Sequence, residues 1–201
     1  MGLIGMTDIL EQQAALQAEA NAILEKLALD SALRVAGRPV RVGSSALGLM
    51  VRRDIDITVV CENLADDVRA VIAQLVGKLT LHPKIGAVRF RDDSGSWNRT
   101  PEDYPDGLYV GITFRAEDNN DWNLDIWFVD EPDRQPDLMH VRTILPRLST
   151  AAREAILAIK TALAANAPGY PKPVASFLVY EAVLDGGVSN FAEFENWLGR
   201  R

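Results

Sequence analysis

The chain has 201 residues, a formal net charge of −7 and a sequence pI of about 4.9. Hydrophobic residues make up 48% and charged residues 24%, enough for a real core in one large domain, or in a larger domain plus a small helical one. The acidic balance weighs against a long nucleic-acid partner. The single cysteine, Cys61, excludes an intrachain disulfide and leads us to expect a cytoplasmic protein.

The start, MGLIGMTDILEQQ, lacks the basic region and long apolar core of a signal peptide. No segment reaches the roughly 18 apolar residues that a membrane span needs. Residues 7–29 place Ile9, Leu10, Leu16, Ile23, Leu24 and Leu27 at helical spacing, with Thr7 or Asp8 as cap. Gly37-Arg38-Pro39 stops any helix. Residues 39–43 then read as a short strand, 44–50 as a short helix, 54–61 as a strand and 64–79 as a helix.

Three strands are predicted next: 87–91, 108–116 and 123–129. Each alternates an apolar with a polar face, as in a sheet covered by helices on one side. The polar faces carry Asp54, Asp56, Arg89, Arg91, Arg115 and Asp125. Residues 92–106 read as a surface connection, and the proline-rich stretch 131–139 as a linker. The remainder is helical: 150–166, capped by Ser149 or Thr150, then 174–184, ended by Asp185-Gly186-Gly187, and 190–198.

The chemistry concentrates in Val42-Gly43-Ser44-Ser45 and Asp54-Ile55-Asp56-Ile57. Side chains alternate along a strand, so Asp54 and Asp56 share a face and Ile55 and Ile57 enter the core. Like charges side by side repel, and a divalent cation offsets the repulsion. Mg²⁺ takes carboxylate oxygens together with substrate phosphates. Gly43 lets backbone approach a phosphate closely, and Ser44 adds a hydroxyl beside a helix start. Asp125 lies on a later strand with parity that matches the acidic pair. Three carboxylates on one face can hold two metal ions, clamp a nucleoside triphosphate and activate a hydroxyl.

Hydrophobic-Gly-Ser, a spacer, Asp-x-Asp, then a single acid on a later strand resembles the DNA polymerase beta-like nucleotidyltransferase superfamily, over roughly residues 38–130. The resemblance implies an α+β fold: a palm-like mixed sheet with helices on one face, in a catalytic domain of residues 1–135, and a C-terminal helical module of residues 136–201. It implies transfer of a nucleoside monophosphate from a nucleoside triphosphate to a hydroxyl, with Mg²⁺ (two ions) and release of pyrophosphate. Asp54, Asp56 and Asp125 are then the metal ligands and catalytic acids. Gly43, Ser44 and Ser45 are the phosphate-binding turn, and Lys160 and Ser176 the triphosphate contacts from the helices. Glu181 is a general-base candidate by analogy with antibiotic-modifying relatives; a solvated helix edge is its plainer role.

The acidic chain points to a small hydroxylated acceptor, as in those relatives. The runner-up is a protein hydroxyl or transfer RNA end, and the rival to an enzyme is an inactive nucleotide-binding module. His82 and His140 lack metal-ligand spacing with a second His or Cys. Cys61 reads as buried. Trp97, Trp122 and Trp127 flank the acidic strands as core or rim residues.

Overall fold

In the computed structural model, five strands among the described residues form a sheet in the order β1-β2-β5-β4-β3. The structure describes residues 6–102, 104–166 and 174–201. The side chain of Thr7 and Pro173 lie outside them. Strands β1 (Arg38–Val42), β2 (Asp54–Val60), β3 (Ile85–Asp93), β4 (Gly107–Arg115) and β5 (Asp121–Val129) match the alternating segments of the sequence. Pairing is antiparallel except for β2 with β5, which run parallel. The mixed sheet follows from that one parallel pair.

Residues Ile55, Ile57 and Val59 of β2, Leu108, Val110, Ile112 and Phe114 of β4, and Leu124, Ile126 and Phe128 of β5 are all buried. They face helices α1 (Met6–Lys26), α2 (Leu29–Leu33) and α4 (Asp66–Thr80), which contribute Ala20, Ile23, Leu29, Leu33, Val68, Ile72 and Leu75 to the same core. Trp122 joins this core and is fully buried, as is Cys61 nearly so. Removing this apolar area from water is the main force holding helices to sheet.

The helix expected over 7–29 ends at Lys26, and Ala28 takes a left-handed conformation with φ 46°. The chain turns there so that Leu29 and Leu33 enter the core from the short α2. No glycine or proline marks the break. Tertiary burial overrides local propensity at this point.

A second apolar cluster joins Leu47 and Leu49, around the short helix α3 (Gly43–Leu47), to α5 (Pro136–Ile144), α6 (Thr150–Ala165), α7 (Ser176–Leu184) and α8 (Phe191–Leu198). Ile9 and Leu10 of α1 pack against it. Helix α5 lies within and beyond the stretch expected as a linker. Pro136 sits in its first turn, where the missing N–H costs nothing. Ser149 caps α6 by accepting from the Ala152 N–H at 3.2 Å, and Asn190 caps α8 by accepting from the Glu193 N–H at 3.0 Å.

Candidate active site

Strand β2 carries Asp54 and Asp56 on one face, and its parallel neighbour β5 brings Asp125 directly opposite Asp56. One oxygen from each of the three partly buried carboxylates lies within 4.8 Å of the other two. Burial first, and Asp54 and Asp125 next, push the Asp56 carboxyl up to about 8. Asp54 is raised by burial and by Asp125. In both, burial and then the neighbouring acids disfavour the ionised form, which a bound cation would favour. Hard carboxylate oxygens at this separation suit Mg²⁺.

The turn after β1 is fitted around these acids. Gly43 has φ +63°, and a Cβ on it would run into the Asp56 carboxylate. Only glycine meets both conditions without strain. Ser44 points its Oγ at helix α6, where Lys160 Nζ donates to it at 2.6 Å. The Lys160 ammonium also donates to the Leu49 carbonyl at 2.7 Å and lies 3.4 Å from Tyr180 Oη. Arg153, two turns earlier on α6, donates to the Leu47 carbonyl. Two cations of α6 thus satisfy carbonyls at the open end of α3 and lock the Gly-Ser turn to the helical region.

Lys160 is buried, and burial lowers its ammonium to about 8 despite Asp56 and Asp54, which raise it. A cation here faces two acids and Ser44, and a phosphate would complete its coordination. Lys160, Ser44, Arg52, Asp54 and Ser176 line one small cavity of about 110 Å³. The sequence placed these residues on separate elements, and the fold gathers them. Arg52 is exposed where it lines this cavity.

Ser45 behaves differently from Ser44. Its buried hydroxyl accepts from Arg41 Nε at 3.0 Å and donates to the Val42 carbonyl at 3.3 Å. It braces the turn and does not line the cavity. Glu181 accepts from Arg201 at 2.7 Å, Arg115 pairs with Asp121, and Arg53 pairs with Asp118 at 3.1 Å. These are solvated partnerships, worth little in stability.

A larger cleft of about 730 Å³ is lined from β3, β5 and the connection between β3 and β4, and none of the three acids lines it. Its lining includes Arg91, Trp97, Arg99, Tyr104, Trp127 and Asp137. The Arg91 guanidinium lies 4.8 Å from the Tyr109 ring and 5.3 Å from the Trp127 ring. Trp127, two residues after Asp125 on β5, shares its face. The cleft itself depends on where the fold places Trp97, Arg99 and Tyr104, which no motif announces.

No protein-family model matches the chain, and no curated protein matches it in sequence. Solved structures do match in shape. The chain is similar to Cid1, a poly(U) polymerase, in complex with the UTP analog UMPNPP, with a TM-score of 0.55 and 17% identity over 85% of this chain and 48% of that one. It is similar to Cid1 in complex with its short product ApU, with a TM-score of 0.56 and 16% identity over 90% of this chain and 55% of that one. A cytoplasmic RNA terminal U-transferase gives a TM-score of 0.55 and 17% identity over 84% and 47% of the two chains. The chain shares its mixed α+β fold with these poly(U) polymerase and RNA terminal U-transferase structures. The chain spans about half the length of these matched proteins. No helix among the described residues is long and apolar enough to cross a membrane.

Proposed function

We propose that this chain is a Mg²⁺-dependent nucleotidyltransferase. It moves a nucleoside monophosphate from a nucleoside triphosphate to a hydroxyl of a small acceptor and releases pyrophosphate. The observation that carries the reading is the convergence of Asp54, Asp56 and Asp125 beside a Gly-Ser turn that a buried lysine grips. An acidic strand edge alone explains neither the lysine nor the glycine fitted to Asp56.

Asp54, Asp56 and Asp125 would hold the metal, with room in a three-carboxylate set for a pair of ions. Bound Mg²⁺ supplies charge neutralisation on the phosphates and lowers the pKa of the attacking hydroxyl. Lys160, Ser44 and Ser176 hold the β- and γ-phosphates in the small cavity, and Gly43 admits the backbone to them. Asp125, at the far side of the acidic group, faces the acceptor. The acceptor oxygen would bond to the α-phosphorus while its proton passes to solvent water, and the bond from the α-phosphorus to the pyrophosphate oxygen would break in line. The pyrophosphate charge remains on the Lys160 side. Residues 1–135 form the catalytic unit in this reading, and residues 136–201 the helical module that supplies Lys160 and Ser176.

The 730 Å³ cleft supports a small acceptor, because its size is that of small-molecule sites and aromatic rings line it. The test is pyrophosphate release by the purified chain with Mg²⁺, each nucleoside triphosphate in turn, and pooled hydroxylated compounds. Release that Asp56→Asn abolishes supports the reading. Absence of release with every pool, alongside a thermal shift by Mg²⁺ and triphosphate, turns the reading to an inactive nucleotide-binding module.

A further inference from the structure

Asp125 does not stand alone on its strand. Its register partner on β4 is Gly111, and two residues before Gly111, on the same face, is Tyr109. A side chain that stands straight off a strand does not reach a neighbour two positions along. Tyr109 leans over Gly111 instead, and its Oη donates to Asp125 Oδ1 at 2.5 Å. The lean requires glycine: a Cβ at position 111 would sit 2.9 Å from Tyr109 Cζ and closer still to the hydroxyl. The ring is braced from outside by Trp127, 5.1 Å between centroids, and by the Arg91 guanidinium over its face. Arg91 is itself held by Asp93 at 2.7 Å. Five residues on three strands therefore serve one hydrogen bond to one carboxylate oxygen.

We infer that Tyr109 is a positioning residue for Asp125, with Gly111 clearing its path. The inference rests on the nucleotidyltransferase reading above for the role of Asp125. By occupying Oδ1, the phenol fixes the carboxylate rotation and leaves Oδ2 turned to the metal and acceptor side. Groups that orient metal ligands from behind cost about 10–100-fold in affinity or activity when removed.

The test compares the full chain with Tyr109→Phe, which keeps the ring stack, and with Gly111→Ala, which keeps the phenol but obstructs it. Three quantities are measured: Mn²⁺ affinity by electron paramagnetic resonance without turnover, kcat and triphosphate KM by pyrophosphate release, and Tm. For Tyr109→Phe the expectation is Mn²⁺ affinity and kcat both down about 10-fold or more, triphosphate KM within about twofold, and Tm unchanged. Gly111→Ala moves the same two quantities in the same direction. Mn²⁺ affinity and kcat within about threefold of the parent in Tyr109→Phe overturn the inference, as does a fall in Tm with Mn²⁺ affinity intact. If the parent chain releases no pyrophosphate, the activity reading has failed, and Mn²⁺ affinity still decides the role of Tyr109.

Discussion

Gly43 and Asp56 share a volume that admits a side chain from only one of them. The glycine holds φ +63°, and any Cβ there would enter the Asp56 carboxylate. Gly43→Ala therefore incurs about 1–2 kcal/mol of backbone strain and pushes Asp56 out of the acidic group. The expected outcome is a lower Tm and a loss of activity of about 100-fold, the usual cost of a misplaced reacting group. A variant with parental pyrophosphate release would show that the fit is incidental.

Substitution of the acids separates chemistry from stability. Asp56→Asn removes an acid whose ionised form is opposed by burial, and then by Asp54 and Asp125. Turnover should drop at least about 1,000-fold, since several kcal/mol of transition-state stabilisation is lost. Near neutral pH the metal-free protein should nonetheless gain thermal stability, because folding no longer has to hold a carboxyl protonated well above its ordinary value. Thermal melts in chelator, alongside activity assays, check both halves.

The raised acids also set a pH dependence. Asp56 keeps its proton up to about pH 8 in the folded, metal-free chain, against an ordinary value of 3.8. Between those values the folded state binds more protons than the unfolded state, so metal-free stability falls as pH rises through the window. Lys160, lowered to about 8 from 10.5, reverses the slope above pH 8, where the unfolded state binds the extra proton. Metal binding must displace the carboxyl proton. The rise in Tm on adding Mg²⁺ should therefore grow from about pH 5 to about pH 8. A Mg²⁺ shift independent of pH, or equal in Asp56→Asn, would count against a metal on these acids.

Lys160 links the Gly-Ser turn to α6 through Ser44 and the Leu49 carbonyl. Lys160→Met keeps the length and loses the charge. Its triphosphate KM should rise about 10–100-fold, the worth of one charge-assisted hydrogen bond. Circular dichroism shows whether the helices persist. An unchanged KM in a folded variant would place the triphosphate elsewhere.

Much of the site was legible because strand periodicity is strict. Parity alone put Asp54, Asp56 and Asp125 on one face, and β2 and β5 bear it out. Their adjacency was not legible: β5 pairs with β2 although two strands and a helix intervene, and register is a tertiary property. Tyr109 escaped for the same reason. Its parity was plain, but its lean toward Asp125 depends on Gly111 standing opposite that residue. Ser44 and Ser45 look alike in sequence, and helix geometry turns one hydroxyl to Lys160 and the other to Arg41. The 131–139 stretch was misleading because proline both breaks helices and begins them; Pro136 begins α5.

The central claim is that metal and triphosphate meet at Asp54, Asp56 and Asp125. Crystals grown with Mn²⁺ and a non-hydrolysable nucleoside triphosphate test it through the anomalous signal of the metal. The account predicts anomalous peaks among the three carboxylates, with the terminal phosphates against Ser44 and Lys160. A triphosphate bound away from the Gly43-Ser44 turn, with no peak at the acids, would contradict it.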